Sequence, residues 1–362
     1  MLDYSMNPLL TSLLDIASNI EIKPNFCIYH PNYQPFALPA KVADRFKQNP
    51  AALQHKYLNL LLRNFLYGIY YNGSLQSTLA VNIETAHCLR YQTLEANSIL
   101  DVDWEFYEQL QTSNHGKGYF DPSWQVLRLE PDGSMAVTKG GLTVHIEPDC
   151  HFKPSKKSAK VGESVAIWMP KNRVQKGCYL AVSNVGQEKQ GNPDVDLGIG
   201  RIYFNFTSSG AIACMDGLTQ RLNTANIPFT FQVLHNPAAY GRYDSGILYF
   251  ERQDYPAIRK VLQVVYTEYQ SHFQPEIPLF TKFLAPGLSL AEEPTQKFAA
   301  QESFGMNRCQ IVANALLEAW EKGKNAMEER MRVIDQHFSQ HLIDLQRPYL
   351  NPSSEDIYQP LK

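Results

Sequence analysis

The sequence lacks two features that would point to a membrane or a polyanion. None of its 362 residues falls in an apolar run of membrane-spanning length. The formal net charge is only −3, which gives no overall reason to expect nucleic acid or an anionic membrane as a partner. The N-terminus has acidic and polar breaks and no basic start, so it is a poor match to a signal peptide. We therefore expect no nucleic-acid partner and no membrane partner.

The spacing of the cysteines argues against two further classes. The chain has six cysteines, and no two of them are spaced as Cys-x-x-Cys, which argues against a zinc ribbon and against a disulfide framework. Scattered cysteines fit the reducing cytoplasm, where we place the protein. The histidines and cysteines also lack metal-ligand spacing, so we expect no metal and no other cofactor.

Several catalytic signatures are missing as well. The sequence has no Gly-x-Ser-x-Gly elbow, no phosphate loop, no His-Glu-x-x-His pair and no kinase catalytic loop. Its glycine-containing segment GIGRIYFNF leads into a strand rather than out of one, which is not the order of a dinucleotide fingerprint. Any function therefore has to be inferred from other polar residues.

The pattern of apolar residues predicts an α+β fold. Helical spacing dominates an N-terminal region, residues 1–78, and shorter periods indicate a β-rich subdomain over residues 79–200. Strands and helices alternate over residues 201–345, which we take as an α+β subdomain. Residues 346–362 look like an extended and mobile tail. The sheets of both subdomains are expected to be mixed, with flanking helices.

The segment RIYFNFT has the alternation of a strand with two unlike faces. Ile202, Phe204 and Phe206 lie on one face. Arg201, Tyr203 and Asn205 lie on the other, together with Thr207. A polar face of this composition can form the floor of an anion site, or it can be a solvent-facing edge. The pattern alone leaves both interpretations open.

Three further basic residues are candidates for anion binding. Arg242, in the turn-rich segment HNPAAYGRYDSG, either contributes to such a site or forms a local ion pair with Asp244. Arg308 follows Ser303, a predicted helix N-cap, in the turns where free backbone amides favour an anion, or it is simply a solvated arginine on the helix surface. Lys171, in the segment MPKNR, is either a surface charge of a loop or a phosphate contact.

Two lysines are candidates for a general base. Lys282 lies between Phe280 and Leu284 on one face of a predicted strand, where it either snorkels to water or loses its proton more easily through burial. Lys139 borders a Gly-Gly turn in a predicted hairpin. Pairing Lys139 with Leu142 directs Lys139 and His145 to opposite sides, which argues against a direct acid/base pair.

Five segments, in one order, resemble a known family. They are GKGYFDPSW, RIYFNFTSSGA, YGRYDSGILYF, LAPGLSLAEEP and ESFGMNRCQIVANAL. Together, over roughly residues 110–320, they are similar to the HopA-type effector family, which includes a plant-pathogen type III effector. Bacterial relatives in that family include the lyases of class V lanthipeptide biosynthesis.

The resemblance implies a reaction and two partners. The lanthipeptide members remove phosphate from phosphoserine or phosphothreonine in a precursor peptide by metal-free β-elimination, which gives dehydroalanine or dehydrobutyrine. The partners implied are a phosphorylated precursor peptide and a separate peptide kinase. The alternative is a non-enzymatic peptide- or protein-binding module on the same fold, since fold does not fix function.

For this reaction the chemistry assigns roles to residues in or near the family segments. Lys282 is the first candidate base and Lys139 the second. His145 is preferred to His235 as the acid, with Tyr203 as a further candidate. Glu292 and Glu293 would flank the peptide groove together with Lys282, or would instead orient arginines or cap the next segment. The phosphate ligands would be Arg201, Arg242, Arg308, Lys171 and Asn205, and we expect at least two of the three arginines to share one cavity.

Overall fold

The structure is a computed structural model that describes residues 8–81, 102–156, 158–175, 177–186 and 198–362. The α-helices in these ranges are α1 (Pro8–Asn19), α2 (Ala40–Phe46), α3 (Ala51–Leu66), α4 (Gln76–Leu79), α5 (Trp104–Ser113), α6 (Pro148–His151), α7 (Ser208–Thr224), α8 (Tyr255–Tyr269), α9 (Phe304–Glu321) and α10 (Met327–Gln340). A π-helix, Tyr67–Tyr71, continues α3. Among the described residues, no helix combines the length and the apolar character that crossing a bilayer requires.

The strands form three sheets in which every pairing is antiparallel, so the mixed parallel and antiparallel sheets expected from the sequence are not present among the described residues. They are β1 (Glu21–Lys23), β2 (Cys27–His30), β3 (Tyr33–Ala37), β4 (Tyr119–Leu129), β5 (Met135–Lys139), β6 (Leu142–Ile146), β7 (Ser164–Met169), β8 (Asn172–Gln175), β9 (Cys178–Val182), β10 (Ile199–Phe204), β11 (Thr230–Leu234), β12 (Gly246–Glu251), β13 (Lys282–Ala285) and β14 (Leu288–Glu292). The central sheet has the order β13-β14-β10-β12-β11-β9-β8, and the smaller sheets are β1-β2-β3 and β6-β5-β4-β7. The predicted α+β class is confirmed.

The central sheet separates two apolar cores. On one face, Ile202 and Phe204 of β10 pack with the buried side of α7 and α8. On the other face, Tyr203 packs with α3 and α9. The alternation predicted for β10 is therefore present in the structure. The polar face of the strand is turned toward the α3 and α9 side of the molecule rather than toward a bare solvent edge.

The predicted hairpin is also present. Lys139 of β5 pairs with Leu142 of β6, as the sequence indicated. Gly140 and Gly141 between them have φ values of 57° and 81°, a left-handed conformation that suits glycine and gives the tight turn. The four-stranded sheet that contains this hairpin has a small core of its own around Trp124.

The N-terminal region is less helical than predicted. The Pro-rich segment between α1 and α2, residues 24–39, forms β2 and β3 of a three-stranded sheet. Pro35 lies in β3, an edge strand, where a residue without an N–H group is tolerated. The central sheet takes β8 and β9 from before residue 200, β10 from Ile199 onward, and four further strands from after β10. The division of the chain into four segments stays a prediction.

The C-terminal tail is packed onto the body of the protein. Among the described residues, it contains no helix or strand after α10. However, Leu350 and Tyr358 are buried, with 5% and 2% of their surface exposed. The backbone of Leu361 donates to the carbonyl of Leu284 at 3.0 Å, along the edge strand β13. These contacts argue against the mobility that the composition suggested.

Candidate functional site

A cavity of about 380 Å³ lies on the α9 side of the central sheet. Its floor is formed by β10, β11 and β12, whose register places Arg201 opposite Tyr249 and Gln232 opposite Ile247. The loop before β12 forms one wall, and the segment leading into α9 forms the other. The charged residues that line it are Arg201, Arg242, Asp244, Glu293, Lys297 and Glu302.

Arg201 is the most deeply placed cation of this cavity. Its residue is 7% exposed, and its guanidinium lies 5.0 Å from the centroid of the Tyr249 ring. It forms an ion pair with Glu293, while its Nε has no hydrogen-bond partner among the described residues. Burial lowers the pKa of Arg201, but Tyr203, Tyr249 and Glu293 raise it by more, so the pKa lies above that of free arginine. A permanent, partly unsatisfied cation therefore faces the cavity.

Arg242 reaches the cavity from the loop before β12. Its Nε and Nη2 both donate to Asp244, the second at 2.8 Å, so the local ion pair considered from the sequence does form. Asp244 also accepts from the hydroxyl of Tyr67 at 3.2 Å. Burial lowers the pKa of Arg242, and Asp244 raises it above its usual value. The pair is both a structural contact and part of the cavity wall.

The approach to α9 supplies the remaining charges. Ser303 caps this helix by accepting from the backbone N–H of Met306 at 3.3 Å, which confirms the predicted N-cap. Lys297 forms an ion pair with Glu293. Glu302 accepts from the backbone N–H of Phe298 and from Asn307, each at 2.9 Å. Lys297 was missed by the sequence analysis. The available signal was its spacing four residues after Glu293.

The structure does not bring Arg308 to this cavity. Arg308 is 1% exposed and donates to the backbone carbonyls of Pro348 and Leu350 at 2.7 and 3.1 Å. It also donates to the side chain of Asn307 at 2.6 Å. Burial lowers the pKa of Arg308 to about 10. The residue predicted as a phosphate ligand instead holds the C-terminal tail.

Lys282 also lies away from the cavity. It is the register partner of Leu290, which pairs on its other side with Ile202, so the register places Lys282 on the face opposite Arg201. Its Nζ donates to Asp356 at 2.5 Å and lies 5.2 Å from the Tyr349 ring centroid. The predicted alignment with Phe280 does not occur, because Phe280 lies before β13.

Three other predicted residues belong to the region before residue 200. Lys139 donates to Asp121 and to the carbonyl of Pro122, each at 2.9 Å. His145 is exposed on the same hairpin, on the opposite side, as expected. Lys171 donates to the carbonyls of two residues near the end of α5, each at 2.8 Å, and burial lowers its pKa. Among the described residues, none of the three lines the cavity of Arg201.

The remaining predicted residues lie in a strand of the central sheet or directly after one, but they do not line the cavity. Tyr203 is 1% exposed and packs against Tyr71, with ring centroids 6.3 Å apart. Asn205 donates to the carbonyl of Glu276 at 3.0 Å and lines a different cavity, of about 320 Å³. His235 is buried directly after β11. Their positions favour roles in packing.

The two neighbouring glutamates have different partners. Glu293 pairs with Arg201, which fits the interpretation that a glutamate orients an arginine. Glu292 instead accepts from Arg252 at 3.1 Å and from Ser354 and Tyr358 of the tail at 2.7 and 2.9 Å. In the described ranges, no group of three His, Cys, Asp or Glu side chains is placed to hold a metal ion.

Comparisons with known proteins found two similar solved structures and one family model. An effector protein from Pseudomonas syringae pv. tomato strain DC3000 is 16% identical, with a TM-score of 0.40 over 69% of this chain and 81% of that one. An effector protein from Pseudomonas syringae pv. syringae strain 61 is 20% identical, with a TM-score of 0.34 over 48% of this chain and 62% of that one. No curated protein matches. The model of the HopA1 effector protein family matches residues 169–350, half of the chain, and the protein therefore belongs to that family.

Proposed function

We propose that the cavity binds the phosphoryl group of a phosphoserine or phosphothreonine residue in a peptide, and that the protein eliminates that phosphate. The observation that supports this proposal is the placement of Arg201, Arg242 and Lys297 around one cavity. Guanidinium groups suit a phosphoryl group because their planar N–H donors match its oxygens in pairs. Arg201 is the most buried of these cations, and its Nε has no hydrogen-bond partner among the described residues.

The proposed reaction is a β-elimination whose atoms balance without an oxidant or a reductant. A base removes the Cα proton, and that electron pair forms the Cα–Cβ double bond. The Cβ–O bond breaks, and phosphate leaves with both electrons of that bond. The arginines stabilise the charge that develops on the leaving group. The product is dehydroalanine from phosphoserine or dehydrobutyrine from phosphothreonine.

The structure changes which lysine we assign as the base. Lys297 lines the cavity, whereas Lys282 and Lys139 do not, so we propose Lys297 as the base in their place. The substrate would be a precursor peptide, and a separate kinase would phosphorylate it, because the sequence has no kinase catalytic loop.

One observation favours the second candidate function, a non-enzymatic peptide- or protein-binding module. Each of the three cavity cations already has a carboxylate partner. An amine that is held by a carboxylate is not in the neutral form that a base requires. The solved structures with similarity to this chain are described as effector proteins, with no reaction named.

Mass spectrometry of a synthetic phosphothreonine peptide incubated with the full-length protein separates the two functions. A lyase gives a product that lacks phosphoric acid and is one water lighter than the unphosphorylated peptide, whereas a phosphatase would give the unphosphorylated peptide itself. A binding module leaves the peptide intact.

Calorimetry with the same peptide tests the cavity. The variant Arg201→Gln should lose about 1.5–3 kcal/mol of binding, the value of a charge-assisted contact. The control is Arg221→Gln, because Arg221 forms an ion pair with Glu268 on the surface away from the cavity. If the wild-type protein shows neither binding nor elimination, the proposed function is wrong.

A further inference from the structure

Glu293 combines a hydrogen-bonded backbone with a side chain whose partners are the cavity cations Arg201 and Lys297. Its backbone N–H donates to the carbonyl of Ile199 at 2.7 Å, and its carbonyl accepts from Asn351 at 2.8 Å. From this fixed backbone the carboxylate extends to Arg201 and Lys297. A rotation of the side chain would release both cations without disturbing the strand.

The other two carboxylates of the cavity are tied to additional donors. Asp244 accepts from the Tyr67 hydroxyl at 3.2 Å and from Asn72 at 3.4 Å, besides Arg242. Glu302 accepts from a backbone N–H and from the side chain of Asn307. Moving either carboxylate would leave buried donors unsatisfied, which is costly. Glu293 pairs with the cavity cations alone, among the contacts of the described residues, so it is the carboxylate that a ligand can displace.

The cavity has no excess of positive charge among its lining residues, and this affects how an anion can bind. Arg201, Arg242 and Lys297 face Asp244, Glu293 and Glu302, so three cations meet three carboxylates. An incoming anion must therefore replace a carboxylate rather than add to a positive site. If the carboxylate of a ligand displaces that of Glu293, Arg201 and Lys297 exchange one carboxylate contact for a similar one. The ligand still loses translational and rotational freedom on binding, so its net gain is small.

Building on the proposed function, we propose that Glu293 occupies the phosphoryl position in the free protein and thereby selects doubly charged phosphoryl groups over carboxylates. A phosphoryl group carries a charge of about −1.5 to −2 at pH 7 and three acceptor oxygens. With three oxygens and a larger charge, it can accept from more donors of the cavity cations than the two oxygens of a carboxylate can. The selectivity arises from a competing group built into the site, which penalises the wrong ligand. Peptides with glutamate in place of phosphothreonine are rejected.

The test compares Glu293→Gln, which keeps the shape of the side chain and removes its charge, with the wild-type protein. The control is Glu268→Gln, which removes a carboxylate from a surface ion pair outside the cavity. Calorimetric titrations use three probes: inorganic phosphate, the phosphothreonine peptide, and the same peptide with glutamate at that position. We expect Glu293→Gln to bind phosphate and phosphopeptide about tenfold more tightly and to bind the glutamate peptide measurably. Glu268→Gln should behave as the wild type does.

Two outcomes overturn the inference while the proposed function stands. In the first, the wild-type protein binds phosphopeptide and Arg201→Gln weakens it, but Glu293→Gln binds no more tightly. In the second, the wild-type protein binds the glutamate peptide as tightly as the phosphopeptide, a measurement that needs no variant to fold. If neither the wild type nor Glu293→Gln binds any probe, the inference and the proposed function fail together.

Discussion

Arg201 of β10 lies directly opposite Tyr249 of β12, and its guanidinium is 5.0 Å from the centroid of the tyrosine ring. The aromatic face attracts the cation and covers one side of it. The hydroxyl of Tyr249 donates to Gln232 on β11 at 3.3 Å, which holds the ring across three strands. Burial raises the pKa of Tyr249 to about 12, so the hydroxyl stays protonated as a donor. The central sheet thus orients the arginine toward the cavity.

Replacing Tyr249 should separate the contribution of its ring from that of its hydroxyl. Tyr249→Phe keeps the aromatic face and should leave phosphopeptide affinity within about twofold of wild type. Tyr249→Leu removes that face and should weaken binding by about 1–2 kcal/mol, the range for a partly desolvated cation–π contact. Titration calorimetry with the phosphothreonine peptide measures both. Equal affinities for the two variants would show that the ring does not orient Arg201.

Comparing kcat for alanine variants of three lysines should identify the base. Lys297 lines the cavity, while Lys282 lies on the other face of the sheet and Lys139 lies in the four-stranded sheet. We expect Lys297→Ala to lower kcat for elimination by about a hundredfold or more, as loss of a general base does. Lys282→Ala and Lys139→Ala should keep wild-type kcat. Loss of turnover in Lys282→Ala alone, with a folded protein, would restore the assignment made from the sequence.

Elimination should not depend on an added metal ion. The reaction needs a base and cations on the phosphoryl oxygens, and the cavity supplies positive charge from Arg201, Arg242 and Lys297. Turnover of the phosphothreonine peptide should therefore be the same with and without EDTA, measured by mass spectrometry after matched times. Activity that disappears with EDTA and returns with one particular metal ion would contradict this prediction.

Local sequence pattern was sufficient for several parts of the fold and of the cavity. The alternation in β10 placed Arg201 on the polar face, the Gly-Gly pair marked the β5–β6 turn, and Ser303 marked the start of α9. Each of these features depends on residues that are close together in sequence. Period-two alternation, turn glycines and helix caps act over a few residues, so they are readable without a three-dimensional model.

Features that depend on distant partners could not be predicted in this way. Lys282 was assigned to a face by counting from Phe280, but Phe280 has a φ of 71° and precedes the strand, so the count starts in the wrong place. The contact of Arg308 with the tail uses backbone carbonyls, which carry no sequence signature. Likewise, no pattern within β12 reveals that Tyr249 faces Arg201. That relation depends on strand order and register.

A buried histidine in the N-terminal region should make stability depend on pH. His30 is 1% exposed, and its Nδ1 accepts from the backbone N–H of Asn32 at 3.2 Å. Its Nε2 lies 3.1 Å from the Tyr70 hydroxyl and 3.5 Å from a carboxylate oxygen of Asp15. Burial lowers the pKa of His30, and Asp15 only partly opposes this effect.

Because the folded state disfavours the charged imidazole, the unfolded chain binds a proton more readily. The contribution of His30 should be complete above its ordinary pKa of 6.5 and should decline as the pH falls below that value. Urea unfolding of the wild type and of His30→Asn at several pH values around and below 6.5 measures the difference between their free energies of unfolding. Asparagine can still accept from the Asn32 N–H, so a difference that does not change with pH would exclude titration of His30.

Arg308 should be important for stability and not for phosphate binding. Its buried guanidinium holds the tail through the carbonyls of Pro348 and Leu350. Arg308→Met keeps much of the side-chain volume but leaves these carbonyls unpaired, so we expect a loss of about 2–4 kcal/mol in the free energy of unfolding. The matched control is Arg347→Met. Arg347 is a largely exposed arginine that pairs with Asp344, and its loss should cost less than about 1 kcal/mol.

Urea unfolding measures both stabilities, and limited proteolysis followed by mass spectrometry shows whether the tail is released. Arg308→Met should lose C-terminal residues faster than Arg347→Met, because the buried anchor holds the backbone on both sides of Tyr349. At a temperature where both variants are folded, their affinity for the phosphothreonine peptide should equal that of wild type. A selective loss of phosphopeptide binding in Arg308→Met, with stability unchanged, would instead return Arg308 to the phosphate site that its position near the start of α9 first suggested.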